Sequence, residues 1–377
     1  MRPLRWGMIG GGEGAFIGAV HRMAARLDGR YQLLAGVFSS DAEKTKRSAV
    51  ALGVDPARAY PSVEAMIAAE AKRPDGIEVV SIVTPNHVHY VQSAACLEAG
   101  LDVICDKPLT TTLPDAEKLV KLAADKKRLL GVTFNYTGYP MIRHAKQLIA
   151  DGLIGDLRVV QVEYPQGWLA TALEKSGQKQ ASWRTDPKQA GAGALGDIGS
   201  HAFQLAEFVT GAKVEEVAAD VSAIVPGRVI DDNVNVLLRF ANGARGSLWA
   251  SQVAIGHLNG HRLRVYGSEG SIQWFQERPE ELLIAEQGQS PRAIRRGDPE
   301  TPTSSVGLPG GHPEGFIEAF SQLYTDFAER VTARLESRSP KAASLFAPDA
   351  VTGTRVMAFI EAVLKSGKAN SAWTRIP

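Results

Sequence analysis

Lys107 stands in Cys105-Asp106-Lys107-Pro108-Leu109, directly after the apolar run Val103-Ile104-Cys105. In an open parallel sheet, ligands bind beyond the carboxyl ends of the strands, so a lysine here is aimed into a site. Pro108 fixes its own φ and biases Lys107 toward extended backbone, which narrows where the ammonium can point. A second pair, Asp197 and His201, is four residues apart, so on a helix both side chains share one face. An imidazole titrates near neutrality and can take a hydroxyl proton while hydride leaves the same carbon; Asp197 can orient the substrate or hold the ring. Each has an ordinary alternative: a solvated lysine before a turn, a helix N-cap at 197, a packed histidine at 201.

What precedes Lys107 is suited to a nicotinamide cofactor. Residues 4–9 read as a strand that runs into Gly10-Gly11-Gly12-Glu13-Gly14-Ala15-Phe16-Ile17-Gly18, and a helical pattern continues through Val20, Met23, Ala24 and Leu27. Glycines let the backbone approach a pyrophosphate, and the helix start at Phe16 and Ile17 offers N–H groups to it. Gly10-x-Gly12-x-x-Ala15 fits the dinucleotide fingerprint; taking Gly18 as the third small residue needs three more residues in the loop. A second strand, 32–37, ends in Phe38-Ser39-Ser40-Asp41, where Asp41 can reach an adenosine ribose or cap a helix that runs to Leu52. The displaced acid favours NAD, while Lys44 and Arg47 keep NADP open. Strand 78–83 ends in Thr84-Pro85-Asn86-His87-Val88-His89, and nothing beside that histidine pair completes a metal set, so no metal is expected. Helices 89–99 and 115–126, the latter with Thr112 available as cap, and strand 128–134 continue an alternation that predicts a doubly wound parallel sheet.

At 377 residues, two domains are expected: a Rossmann domain over 1–134 and an α+β substrate domain over 135–377, whose C-terminal helices are free to pack back on the first. The second domain carries strands at 157–164, 214–225, 234–240, 244–253, 262–267, 271–275 and 282–285, an Asn242-Gly243 hairpin, helices at 197–210, 316–334 and 348–365, and a long loop at 287–313. That pattern predicts a large, mainly antiparallel open sheet, and its uncovered face suggests a homo-oligomer, dimer or tetramer. A net charge of +1 gives no footprint for nucleic acid or an anionic membrane. Cys96 and Cys105 form no C-x-x-C pair, and no leader-like or membrane-spanning apolar run is present, so a cytoplasmic location is expected.

The combination of Ile9-Gly10-Gly11-Gly12, Thr84-Pro85-Asn86-x-x-His89, Ala99-Gly100-x-x-Val103 and Asp106-Lys107-Pro108 resembles the glucose-fructose oxidoreductase / inositol dehydrogenase / MocA family over almost the whole chain. Asp106 is a shorter substitute for the family's usual glutamate before the lysine. The resemblance implies an NAD(P)-dependent oxidoreductase acting on sugars, inositols or related polyols. Gly-Asp-x-Gly-x-His at 196–201 is similar to the family's Asp-x-x-x-His element, which implies His201 as general base, Lys107 as the cation on the substrate oxygen and Asp197 as the supporting carboxylate. Within the family, the stretches at 136–140 and 310–315 are similar to levoglucosan or glycoside 3-oxidising enzymes. Cofactor contacts are then expected from Gly10, Gly12, Ala15, Phe16, Ile17, Ser39, Ser40, Asp41, Thr84, Pro85, Asn86, His89, Asp106, Lys107, Trp183 and Arg184. Substrate contacts are expected from Lys107, Asn135, Tyr136, Tyr139, Trp168, Asp197, His201 and His312. Two other functions use the same parts: an NAD-dependent glycosidase that oxidises its sugar only transiently, and a nucleotide-binding regulator without catalysis.

Overall fold

The computed structural model describes residues 2–302 and 307–377. In chain order the elements are β1 (Leu4–Gly10), α1 (Phe16–Arg26), β2 (Tyr31–Val37), α2 (Ala42–Leu52), α3 (Val63–Glu70), β3 (Val79–Val83), α4 (His89–Glu98), β4 (Asp102–Cys105), α5 (Leu113–Lys126) and β5 (Leu130–Val132). Then come α6 (Pro140–Ala150), β6 (Leu157–Pro165), α7 (Lys179–Arg184), α8 (Pro187–Ala190), α9 (Ser200–Thr210), β7 (Val214–Ser222), β8 (Asn233–Phe240) and β9 (Arg245–Ser251). β10 (Arg262–Gly267), β11 (Gly270–Phe275), β12 (Glu281–Glu286), β13 (Arg292–Arg295), α10 (Phe316–Leu335), α11 (Ala350–Lys368) and β14 (Thr374–Arg375) complete the chain.

One compact unit joins residues up to Gly138 with Phe316–Thr354. Its strands pair in parallel in the order β2-β1-β3-β4-β5, the doubly wound sheet expected from the sequence. Every residue of β3 is buried, which is why it reads as an apolar run rather than an alternating one. The strand order reverses between β1 and β3, so the carboxyl ends paired at Gly10 and Val83 border the crevice where such sheets take ligands.

α1 buries Val20, His21, Ala24 and Ala25, whereas Met23 and Leu27 are about half exposed, 47% and 48%. That corrects the sequence pattern, and the cause is α10, which returns to this unit and packs along α1. Phe320, Leu323, Tyr324, Phe327 and Val331 of α10 join Trp6 and Tyr31 in one core, with the Trp6, Tyr31 and Tyr324 rings edge-on at 5.2–6.0 Å. Each fully buried large apolar side chain contributes about 1.5–3 kcal/mol, so this remote helix is integral to the unit.

The other unit joins Tyr139–Gly315 with Arg355–Pro377. Its sheet runs β13-β12-β11-β10-β6-β9-β8-β7-β14, antiparallel except where β6 meets β9. β8 alternates buried and outward residues, as a sheet covered on one face requires, and α9 packs against β6, β9 and β10. The expected hairpin is present: Gly243 takes φ +88° and Phe240 N–H donates to Ala244 O at 3.0 Å. Two expectations change. β7 stops at Ser222 because the Asp232 carboxylate takes the N–H groups of Ile224 and Val225. The loop at 287–313 contains β13, paired to β12, and residues 303–306 of it lie outside the described residues.

Candidate active site

The glycine loop is packed flush against the strand ends. A Cβ on Gly10, whose φ is +84°, would meet Val83 O at 2.8 Å, and one on Gly12 would meet Phe38 O at 2.6 Å. Gly18 answers the choice that the sequence left open: a Cβ there would lie 2.3 Å from Gly11 Cα, so Gly18 permits the close helix–strand approach while Ala15 serves as the N-cap of α1. α1 has no side-chain cap and no acidic residue in its first turn, and its positive dipole end and first N–H groups, at Phe16 and Ile17, suit a phosphate. This glycine-lined cradle fits a dinucleotide pyrophosphate.

At the end of β2, Asp41 Oδ1 accepts the Lys44 N–H at 2.6 Å and caps α2, while Ser39 is tied to Thr45 through its N–H and its carbonyl. Arg47 pairs with Glu13 of the glycine loop at 3.6 Å. At the end of β3, Thr84 Oγ1 donates to Gln92 Oε1. Pro85 is extended and Asn86 buried. His89 is fully buried, and its ring nitrogens lie 2.9 Å from Pro108 O and 2.9 Å from Thr84 O. Burial pushes its pKa down, although two carbonyl partners favour the doubly protonated ring. Held between these two carbonyls, His89 braces the β3 end against the Lys107-Pro108 turn.

Asp106 Oδ1 accepts the Lys107 N–H at 2.9 Å and the Thr133 hydroxyl at 2.9 Å, and His21 Nε2 lies 3.9 Å away. Burial alone would raise this carboxyl, but the His21 imidazole, with the charges of Lys107 and His89, holds it well below the usual carboxylate range. An ionised acid therefore sits next to the lysine. The Lys107–Pro108 peptide is cis.

In the other unit, Asp197 Oδ2 accepts from Gln252 Nε2 at 2.9 Å and faces Arg184 Nε at 3.3 Å. The Arg184 guanidinium lies 4.3 Å over the Trp183 ring and donates to Gln180, so Trp183 and Arg184 are gathered onto Asp197. His201 is buried, with its ring 6.2 Å from that of Tyr164. Tyr164 Oη donates to Asn259 Oδ1, which also takes Gln166 Nε2, and Gln166 in turn accepts Trp168 Nε1–H, so Trp168 and His201 belong to one connected group.

The backbone around Asp197 differs from the plain α-helix expected. Leu195–Gly199 is a π-helical turn that leads into α9, and such turns recur at functional sites. Asp231 holds the backbone that enters it: its carboxylate accepts the N–H groups of Gly193 and Leu195, each at 2.7 Å, and its carbonyl accepts that of Ala194 at 3.0 Å. Burial raises the Asp231 pKa against those bonds. A Cβ on Gly193 would lie 1.9 Å from Asp231 O, so only glycine fits. Arg228, buried, binds Asp232 at 3.1 Å, Glu174 at 3.0 Å and the carbonyls of Leu169 and Thr171, pinning the segment that carries Trp168.

Asn135, Tyr136, Tyr139 and His312 are the other substrate contacts expected from the sequence. Asn135 and Tyr136 are buried in a 3-10 turn, Tyr139 is buried with its ring 5.4 Å from Trp274, and His312 is exposed with Nδ1 on Pro309 O. Sequence reasoning missed Asp231, Gln252, Arg228, Thr133, Tyr324 and His21. The Asp231-Asp232 doublet before a strand was a usable signal; the others act across long sequence separations. Among the described residues no cluster of three His, Cys, Asp or Glu side chains could hold a metal ion, and no helix is long and apolar enough to cross a membrane.

Residues 4–134 match the oxidoreductase family with an NAD-binding Rossmann fold, and residues 142–273 match the GFO/IDH/MocA C-terminal domain. The chain is 38% identical to an uncharacterized oxidoreductase, YfiI, of Bacillus subtilis over 99% of this chain and 96% of that one. It is 32% identical to levoglucosan dehydrogenase of Pseudarthrobacter phenanthrenivorans over 79% of each chain. Its fold is similar to an inositol dehydrogenase homolog from Azotobacter vinelandii, solved with NADH and myo-inositol, with a TM-score of 0.92, 35% identity, and 99% of this chain and 98% of that one covered.

Proposed function

The chain belongs to the GFO/IDH/MocA family of NAD-binding oxidoreductases, and on that premise we propose that it oxidises one secondary hydroxyl of a sugar, anhydrosugar, glycoside or inositol to the ketone. NAD, when bound, accepts the hydride from the carbinol carbon, so alcohol and NAD give ketone, NADH and one proton. Lys107 binds the hydroxyl oxygen and stabilises the alkoxide as it forms. His201 takes the hydroxyl proton, and Asp197, steadied by Arg184 and Gln252, orients the substrate. NAD is preferred to NADP because Asp41 stands in the loop after β2, and the two buried, unpaired cysteines suit a reducing cytoplasm. The observation that carries this reading is the position of Lys107, next to an ionised Asp106 at the carboxyl end of the strand beside β3, in the same sheet as the glycine cradle.

A spectrophotometric panel of inositols, pyranoses, glycosides and levoglucosan with NAD and NADP tests it. NADH accumulating with a free polyol or sugar supports the dehydrogenase; glycoside hydrolysis without net reduction would instead indicate transient oxidation, and a blank panel with cofactor bound would overturn the reading. We further propose a homo-oligomer through the open sheet face, where Leu237, Val159 and Leu283 are exposed. Sedimentation of a Leu237→Glu variant as a monomer, against an oligomeric parent, would support that arrangement; a monomeric parent would end it.

A further inference from the structure

A chain of buried polar groups runs through the first unit to Asp106. Trp6 Nε1 donates to Ser81 Oγ at 2.9 Å, Ser81 Oγ lies 2.7 Å from Tyr324 Oη, Tyr324 Oη lies 2.7 Å from His21 Nδ1, and His21 Nε2 lies 3.9 Å from Asp106 Oδ1. Trp6, Ser81, His21 and Tyr324 are all fully buried. An indole N–H can only donate and an ionised carboxylate can only accept, so both ends of the chain are fixed while its hydroxyls are free to turn. With one proton on the ring, at Nε2, the Tyr324 hydroxyl donates to Nδ1. With two, Nδ1–H donates to Tyr324 Oη, whose own hydrogen turns to Ser81 Oγ. Either arrangement gives Nδ1 its partner without moving a heavy atom, and both leave Nε2–H 3.9 Å from the Asp106 carboxylate, an electrostatic contact rather than a hydrogen bond.

The groups that face His21 are Tyr324 from α10 and Asp106 beyond β4; around Asp106 lie Lys107, His89 of α4 and Thr133 after β5. Arg22, the next residue, is turned to Gly11 O. A buried carboxylate attracts a neighbouring ammonium, and a chargeable imidazole 3.9 Å from the same carboxylate competes for that attraction.

We propose that His21 is a positioning residue for the reaction at Lys107: by engaging Asp106 it sets how tightly the lysine keeps its proton, and the Tyr324 and Ser81 hydroxyls let it do so with one ring proton or two. The proposal rests on the reading of Lys107 as catalytic, yet it can be tested without a substrate. Full-length protein is labelled with trace acetic anhydride from neutral to alkaline pH, and acetylation of Lys107 is followed by peptide mass spectrometry. In His21→Asn the labelling midpoint of Lys107 is expected to rise by about half a pH unit or more. Tyr324→Phe shifts it in the same direction, and His21→Asn has no further effect in an Asp106→Asn background. A purely structural role would lower thermal stability and leave that midpoint in place. Unchanged midpoints in the folded His21→Asn protein overturn the proposal; should that variant not fold, an unchanged midpoint in Tyr324→Phe does so. Separately, a Lys107→Met enzyme that still forms NADH would overturn the catalytic reading beneath it, whatever the labelling shows.

Discussion

Lys107 takes its supports from close at hand along the sheet: its own neighbour Asp106, the Thr133 hydroxyl at the end of the adjacent strand, and His89, which clamps the turn. Asp197 and His201 are held differently, by a deformed helix start whose shape depends on Asp231, and by Arg184, Gln252 and the Trp168–Tyr164 group on other segments. A strand end in a parallel sheet is rigid and needs little to present a charge. A helix start that must place a carboxylate and an imidazole together needs its backbone bent and its side chains tied from several directions.

The two groups of residues therefore fail differently. Lys107→Met should cost the most, a loss in kcat of about 10³-fold or more with NADH binding intact, because it removes the cation that meets developing charge. Binding is read by cofactor fluorescence and kcat by NADH absorbance. His201→Asn should lose about 10²- to 10⁴-fold in kcat, and a shift of the pH–rate profile distinguishes loss of a base from a general defect. Asp231→Ala attacks the scaffold instead: two buried N–H groups lose their acceptor, so calorimetry should show about 2–4 kcal/mol less stability together with reduced kcat. Reduced kcat with wild-type stability would contradict the bracing role.

A pH effect of similar size is expected in the second unit. His261 is stacked on Tyr164 with centroids 4.6 Å apart, and burial pushes its pKa down from 6.5 to about 3. Below 6.5 the unfolded chain takes up a proton that the folded chain refuses, so stability falls as pH drops through that window and is unaffected above it. The loss should reach about 2 kcal/mol over the first 1.5 units of acidification, and His261→Leu should flatten the thermal midpoint there. Smallest of all, Arg184→Gln should raise KM a few-fold with little change in kcat, since the guanidinium only steadies Asp197.

The same contrast explains what could be read from the sequence. The parallel sheet, the glycine cradle and Lys107 follow from local grammar: strand, glycine turn, helix, and a charge at a strand end. His201 stands out by its spacing from Asp197, but the π turn that holds Asp197 is invisible, because Asp231, which binds the backbone leading into it, lies in another segment and acts through backbone N–H groups. Met23 and Leu27 were misplaced for a related reason: α10, from the far end of the chain, sets which face of α1 is buried. His89 is legible as a residue just after a strand end, but the two carbonyls its ring meets, Thr84 O and Pro108 O, are not.

The most direct test is a crystal structure of the protein with NADH and the best substrate from the polyol panel. Lys107 Nζ should lie within about 3.2 Å of one substrate hydroxyl oxygen, with that carbon facing the nicotinamide. A substrate whose hydroxyl is held away from Lys107, or whose carbinol carbon faces away from the nicotinamide, would contradict the role of that lysine in hydride transfer.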